Sequence, residues 1–150
     1  GERLEQVEVR EDLGHFPVLI ILPHVSVSTG EAYRRLDERR KTGRSVEERS
    51  SIPHAEIVSM YRGKEPDAWT FFNSFTPVLR EIYPLYDELI EEISRLKPLF
   101  YEISGSGSAM FALFPGEAET ENAEKRLNTL GIESYNVKML ASCPEAVYNY

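Results

Sequence analysis

The stretch LFYEISGSGSAMFALF, residues 99–114, decides the fold. Two short apolar runs, residues 99–103 and 109–114, lie on either side of five alternating serines and glycines. A flexible linker joins domains and has polar flanks, whereas these flanks have the length and composition of strands that pair with each other. The stretch therefore predicts a β-hairpin whose tight loop is residues 104–108.

The remaining segments predict how this hairpin is completed. Residues 16–22, FPVLIIL, read as a strand that is buried on both faces, and residues 134–140 read as the last strand. Residues 117–130 predict a helix with an acidic first turn and a glycine at its exit. The order is β, helices, β, β, α, β. It predicts a single α+β domain over residues 1–150, a ferredoxin-like split β-α-β sandwich whose antiparallel sheet carries helices on one face.

Extra helices are expected in the first crossover, after a polar loop at residues 41–52. Thr76 and Pro77 have the pattern of an N-cap followed by proline at the first helical position. A later helix has an apolar stripe at helical spacing. The stripe consists of Leu85, Leu89, Ile93 and Leu96.

The segment PHVSVSTGEAYRRL, residues 23–36, joins the first strand to a helix. Ser28 and Glu31 form a capping box. Capping accounts for Ser28, but it does not account for Thr29 or for Tyr33 one turn later. The Tyr33 ring could be an ordinary core residue or a stacking platform for a ligand, and the sequence pattern leaves both open.

The serine-glycine loop also has two interpretations. Gly105 and Gly107 suit a hairpin that needs positive φ angles. Successive small residues also let the backbone approach an anion, with N–H groups and hydroxyls free to bind it. Pattern alone does not choose between a plain hairpin and a loop that lies near a phosphate.

Charge argues against nucleic acid or an anionic membrane as the main partner, because the formal net charge is −8. Six of the eleven residues at positions 34–44 are basic, but Asp37 and Glu38 interrupt them. This strip is expected to be a solvated helix face. A nucleic-acid site there is the weakest of the alternatives.

Other residue types limit the chemistry. Cys143 is the one cysteine, which excludes an internal disulfide and suits a reducing compartment such as the cytoplasm. The three histidines are dispersed, so no metal site is expected. No stretch is apolar enough to span a membrane and no signal peptide is visible. The chain begins at Gly1 rather than Met, and we expect it to be processed or cut.

Three stretches together resemble the C-terminal half of GHMP-superfamily small-molecule kinases. They are PHVSVSTGEAYRRL, then FNSFTPVLREIYP at residues 72–84, then YEISGSGSAMFALF at residues 101–114. Kinases of this family have two lobes with the ligands between them. The resemblance implies that ATP with Mg is bound mainly by an N-terminal lobe absent from this chain, and that lobe also holds the catalytic residues, so none is assigned here.

The resemblance also implies roles for individual residues. In this family, a loop of the C-terminal domain supports the phosphate-binding loop of the other lobe. The residues of this chain that match the supporting loop are Ser104, Gly105, Ser106, Gly107 and Ser108. Substrate binding falls on Ser28, Thr29 and Tyr33, with the tyrosine ring facing a cytosine.

The implied reaction is phosphorylation of cytidine diphosphate-linked methylerythritol in non-mevalonate isoprenoid biosynthesis. The isolated chain would be inactive, and its exposed lobe face would allow two copies to dimerise. The alternatives are another GHMP kinase, such as a mevalonate-type or homoserine kinase, and a free-standing ferredoxin-like ligand-binding or regulatory module.

One segment departs from the family pattern. The family has Asn-Asp followed by an apolar and an acidic residue, whereas Ser74 and Thr76 replace both acids after Asn73 here. No ligand role is therefore expected at Asn73. The nearby aromatic residues are expected to serve lobe packing; they are Trp69, Phe71 and Phe72.

Overall fold

The computed structural model describes residues 10–42 and 52–138. The described residues form one four-stranded antiparallel sheet with the order β2-β3-β1-β4. This order interleaves two split β-α-β units, so the predicted ferredoxin-like α+β fold is confirmed. The strands are β1 (Pro17–Leu22), β2 (Phe100–Ile103), β3 (Met110–Leu113) and β4 (Glu133–Lys138).

Some expectations concern positions that the structure does not describe. Cys143, most of the polar loop at residues 41–52 and the last two positions of the predicted strand at 134–140 lie outside the described residues.

Strand β1 occupies an interior position because its residues are apolar on both faces. It pairs with β3 on one side, where Ile21 lies opposite Met110. On its other side it pairs with β4, where Val18 lies opposite Val137. Pro17 is the first residue of the strand, the position in a central strand where a missing N–H is best tolerated.

Five α-helices complete the described structure. Four of them, α1, α3, α4 and α5, contribute buried side chains to one core on one face of the sheet. That core includes Leu19 and Ile21 of β1, both fully buried. The helices are α1 (Thr29–Lys41), α2 (His54–Gly63), α3 (Thr76–Ile82), α4 (Leu85–Arg95) and α5 (Glu117–Thr129).

The predicted stripe on α4 is wrong in its first member. Leu85 is 38% exposed, whereas Tyr86 is fully buried beside Leu89 and Ile93. Tyr86, Leu89 and Ile93 follow the i, i+3, i+7 spacing of a single helix face. A step of four residues is longer than one turn of a helix with 3.6 residues per turn, so Leu85, four residues before Leu89, lies to one side of the buried face.

Aromatic residues cover part of the opposite face of the sheet. Phe100 alternates with Tyr101, whose side chain packs against the core, so the Phe100 ring lies on the other side. Trp69 lies 5.2 Å from Phe71 and 5.5 Å from Phe100, measured between ring centroids. These rings therefore pack within the domain.

We expect Ile21→Ala to lower the free energy of unfolding by about 2–5 kcal/mol, because it opens a cavity in the core. The neighbouring Ile20→Ala is the matched control. Ile20 points to the less buried face, so its truncation should lower the free energy of unfolding clearly less. Urea unfolding of both variants measures the difference. Equal losses would contradict the position of the core.

Candidate functional site

The first part of the candidate site is the entrance of α1. Ser28 has an extended backbone and its hydroxyl accepts a hydrogen bond from the Glu31 N–H at 3.3 Å. The predicted Ser28 cap is confirmed, but the reciprocal half of the capping box is not, because the Glu31 carboxylate accepts from Arg34 and Arg35 instead of the Ser28 N–H. The Ser28 cap starts the helix at Thr29, so the Thr29 hydroxyl projects from the first turn.

The second part is the loop between β2 and β3. The Ser104 N–H donates to the Ala109 carbonyl at 2.8 Å, and the Gly107 N–H donates to the Ser104 carbonyl at 3.0 Å. Gly105 and Gly107 have φ angles of +55° and +86°. These angles favour glycine, as the hairpin interpretation expects. The serine-glycine stretch is therefore a hairpin loop and not a tether.

The two parts are in contact. The hydroxyl oxygens of Thr29 and Ser106 lie 3.2 Å apart, although the residues are 77 positions apart in the chain. The fold thus brings together two groups of residues that the sequence singled out separately. Together they present serine and threonine hydroxyls on an exposed surface.

The loop also has backbone groups for a ligand. The N–H groups of Gly105 and Ser106 have no hydrogen-bond acceptor within residues 10–42 and 52–138. Unpaired N–H groups beside hydroxyls are the kind of donors that bind phosphate oxygens. The arrangement can therefore contact an anion through neutral donors.

Tyr33 lies on the same helix as Thr29, one turn further on. Its side chain is 54% exposed. Its ring packs against Phe75 in a T-shaped arrangement with 4.8 Å between ring centroids. Tyr33 is thus not a core residue, and the exposed part of its ring can stack on a planar group.

The loop rests on buried side chains. A Cβ atom at Gly107 would lie 3.0 Å from both Leu79 Cδ1 and the Tyr86 hydroxyl oxygen, and 3.4 Å from Val27 Cγ2. The Tyr86 hydroxyl donates to the Ser108 carbonyl at 3.0 Å. Burial raises the pKa of Tyr86 to about 12, with a smaller contribution from Tyr83, so Tyr86 stays a donor at neutral pH.

Asn73 holds the loop from its other side. Its Nδ2 donates to the carbonyls of Ile103 at 2.8 Å and Gly105 at 2.7 Å. Its Oδ1 accepts the Phe75 N–H at 2.9 Å. The sequence pattern predicts no ligand role for Asn73 and does not indicate this contact with the loop. The sequence did offer one signal for the bond to Phe75. Asparagine side chains just before a helix often hydrogen-bond to the backbone two residues later.

A carboxylate anchors the Asn73 turn to the sheet. Glu102 accepts the Asn73 N–H at 3.0 Å and the Thr76 hydroxyl at 2.5 Å. Thr76 is the first residue of α3, with Phe75 at the N-cap position. The predicted N-cap role of Thr76 is therefore wrong, because its hydroxyl bonds to a strand residue and not to its own helix.

The basic strip is neutralised by neighbouring acids. Arg34 pairs with Glu31 and Glu38, and Arg39 pairs with Glu81. Hydrogen bonds from Arg34 and Arg35 hold the pKa of Glu31 below its usual value. The prediction of a solvated helix face is confirmed for Arg34, Arg35, Arg40 and Lys41, which are exposed, whereas the Arg39 side chain is largely covered. An acid-paired surface of this kind is poorly suited to a phosphate backbone.

Residues 10–42 and 52–138 contain no group of three or more His, Cys, Asp or Glu side chains arranged to hold a metal ion. None of their helices combines the length and hydrophobicity that crossing a bilayer requires.

Comparison with known proteins agrees with this architecture. Residues 61–133 match the family described as GHMP kinases C terminal. This chain contains a GHMP kinase C-terminal domain. The match includes the Asn73 turn and the loop at residues 104–108, while Ser28, Thr29 and Tyr33 precede it. The predicted family resemblance is confirmed.

Curated relatives of this GHMP kinase domain are named 4-diphosphocytidyl-2-C-methyl-D-erythritol kinase. The protein from Treponema pallidum subsp. pallidum is 30% identical over 111 residues, which cover 73% of this chain and 38% of the relative. The protein from Chlorobaculum tepidum is 27% identical over 132 residues, which cover 85% of this chain and 42% of the relative. The chain thus spans about two fifths of the length of these relatives.

Two solved structures share the fold of the GHMP kinase domain. A 4-(cytidine 5'-diphospho)-2C-methyl-D-erythritol kinase has a TM-score of 0.60 at 24% identity, covering 80% of this chain and 41% of its own. A homoserine kinase from Cytophaga hutchinsonii has a TM-score of 0.59 at 18% identity, covering 91% of this chain and 44% of its own. These similarities show the fold alone.

A pair of glycine variants tests the packing of the loop. We expect Gly105→Ala to destabilise the domain by about 1–2 kcal/mol, because alanine is strained at positive φ but meets open space there. Gly107→Ala should cost a further 1–3 kcal/mol, roughly, because its Cβ would also crowd Leu79 and Tyr86 at 3.0 Å. Chemical denaturation measures both, and equal losses would contradict the close packing at Gly107.

Tyr86→Phe tests the buried hydroxyl through pH. The pKa of Tyr86 is raised from 10.0 to about 12, so the stability that its neutral form provides is complete below pH 10 and is lost as pH rises through 12. The variant should be less stable by about 1 kcal/mol at pH 7, because it loses the bond to Ser108. Between pH 10 and 12 its stability should fall less steeply than that of the wild type. If the stabilities of the two proteins fell equally steeply over this pH range, the raised pKa of Tyr86 would be contradicted.

Proposed function

We propose that this chain is the substrate-side domain of an ATP-dependent kinase that phosphorylates cytidine diphosphate-linked methylerythritol, a step of non-mevalonate isoprenoid biosynthesis. The observation that carries the proposal is the contact between Thr29 and Ser106. Because Tyr33 lies one turn after Thr29, its exposed ring is near a loop of neutral N–H and hydroxyl groups, which suits a ligand that has both a base and phosphates.

The base end of the substrate is assigned to the entrance of α1. Tyr33 offers its ring as a stacking surface, and Ser28 and Thr29 lie one turn before it. Stacking of a base on an aromatic side chain contributes about 1–3 kcal/mol, enough to affect affinity measurably. Homoserine has no ring, so the exposed Tyr33 supports a nucleotide-linked substrate over that alternative. The fold itself does not distinguish the two substrates, because the solved erythritol-derivative kinase and the solved homoserine kinase match this chain with TM-scores of 0.60 and 0.59.

The phosphate end is assigned to the loop at residues 104–108. We propose that Ser104, Gly105, Ser106, Gly107 and Ser108 support the phosphate-binding loop of an N-terminal lobe, which would bind most of the ATP and Mg. Their hydroxyls and N–H groups are neutral. Phosphoryl transfer depends on positioning and on electrostatic stabilisation by metal and cationic groups. The domain would therefore position the reactants, and the charged groups would come from the other lobe.

Turnover of cytidine diphosphate-linked methylerythritol by the complete gene product, with ATP and Mg²⁺, tests the proposal. We expect Tyr33→Ala to raise the KM for this substrate about tenfold because stacking is lost, with the KM for ATP unchanged. Tyr33→Phe is the matched control and should stay close to wild type.

Two further measurements complete the test. Residues 1–150 alone should give no product. The proposal fails if the wild type phosphorylates homoserine but not the cytidine substrate, or if Tyr33→Ala leaves the KM for the cytidine substrate unchanged.

A further inference from the structure

We propose that Asn73 is a positioning residue that joins the phosphate end of the site to its aromatic end. The proposal rests on the proposed function, because it assigns the loop at residues 104–108 to phosphates and Tyr33 to a base. Asn73 touches neither ligand in this assignment. It acts through the two elements to which it is bonded.

The first bond set holds the loop. Both carbonyls that accept from Asn73 Nδ2 lie at the start of the loop region, one at the end of β2 and one inside the loop. An amide nitrogen carries two N–H donors, and here each N–H has its own acceptor. A carboxylate or a hydroxyl at this position cannot supply two donors. The amide therefore sets where the loop leaves the sheet.

The second bond sets the aromatic end. Asn73 Oδ1 accepts a hydrogen bond from the Phe75 N–H, and this bond closes a turn between the Asn73 side chain and the backbone two residues later. This turn directs the Phe75 side chain toward Tyr33, and the two rings meet in the T-shaped contact. Phe75 is partly buried and packs against the core, so it gives Tyr33 a fixed neighbour.

Glu102 makes the connection rigid. It is a β2 residue, and its carboxylate accepts from the Asn73 N–H and the Thr76 hydroxyl on either side of the turn. The same carboxylate accepts the Ile103 N–H at 2.8 Å. The turn, the loop and the sheet therefore share one hydrogen-bonded network. Removal of the whole Asn73 side chain should therefore affect both ends of the site.

Two substitutions separate the two ends. Asn73→Asp keeps an acceptor for the Phe75 N–H but replaces the two donors with an oxygen facing the carbonyls of Ile103 and Gly105. Asn73→Ala removes both connections. Asn122→Ala is the matched control, because Asn122 is exposed on α5 and its side chain makes no hydrogen bond with the described residues.

Kinetics of the complete gene product are the first measurement. Asn73→Asp should raise the KM for ATP about tenfold, as expected for two lost hydrogen bonds, with the KM for the cytidine substrate within about twofold of wild type. Asn73→Ala should raise both KM values, and Asn122→Ala neither. Equal changes in both KM values for Asn73→Asp would overturn the proposal.

Hydrogen–deuterium exchange of the same proteins without ligand is the second measurement. Asn73→Asp should speed exchange about tenfold at the two hydrogen-bonded loop amides, those of Ser104 and Gly107, while the amides of β1 keep their protection. Unchanged loop exchange, or loss of protection throughout the sheet, would overturn the positioning role. This measurement needs no substrate. If the wild type fails to turn over the cytidine substrate, the proposed function is wrong, but the exchange experiment still tests the positioning role of Asn73.

Discussion

The antiparallel pairing of β1 with β3 is the constraint on which the site depends. Because Ile21 lies opposite Met110, the end of β1 and the start of β3 share one end of the sheet. The loop before β3 and the segment after β1 must therefore emerge side by side. The contact between Thr29 and Ser106 follows from this register. A shift by one residue would also turn the core face of β1 outward, so burial protects the register.

Hydrogen bonds and close packing hold the site in shape. Tyr86 and Asn73 donate to loop carbonyls from different parts of the chain, and Leu79 lies close to the position that a side chain at Gly107 would take. Buried polar groups with satisfied partners are costly to disturb, because an unpaired donor or acceptor loses its hydration without compensation. The loop can thus stay ordered while its small residues leave the backbone open to a ligand.

Local patterns predicted the fold and much of the site. The hairpin, the Ser28 cap and the α5 helix each depend on residues close together in the chain, where propensity and spacing are informative. Asn73 was missed because its two carbonyl partners lie about thirty positions away. Thr76 was assigned to its own helix for the same reason, since its partner Glu102 is distant in sequence. Leu85 and Tyr86 differ by one position, and only packing reveals which side of α4 meets the sheet.

By itself, the sequence determined the order of the elements, the tight serine-glycine hairpin and the capped helix that carries Tyr33. These features follow from hydrophobic periodicity, from glycine at positive φ and from capping, all of which act over a few residues. Only the tertiary structure decided that the hairpin and the helix entrance meet, that Tyr33 stays exposed against Phe75, and that Asn73 connects them. The physical reason is that hydrogen bonds and ring contacts between distant segments depend on strand register and helix rotation, which no short stretch of sequence contains.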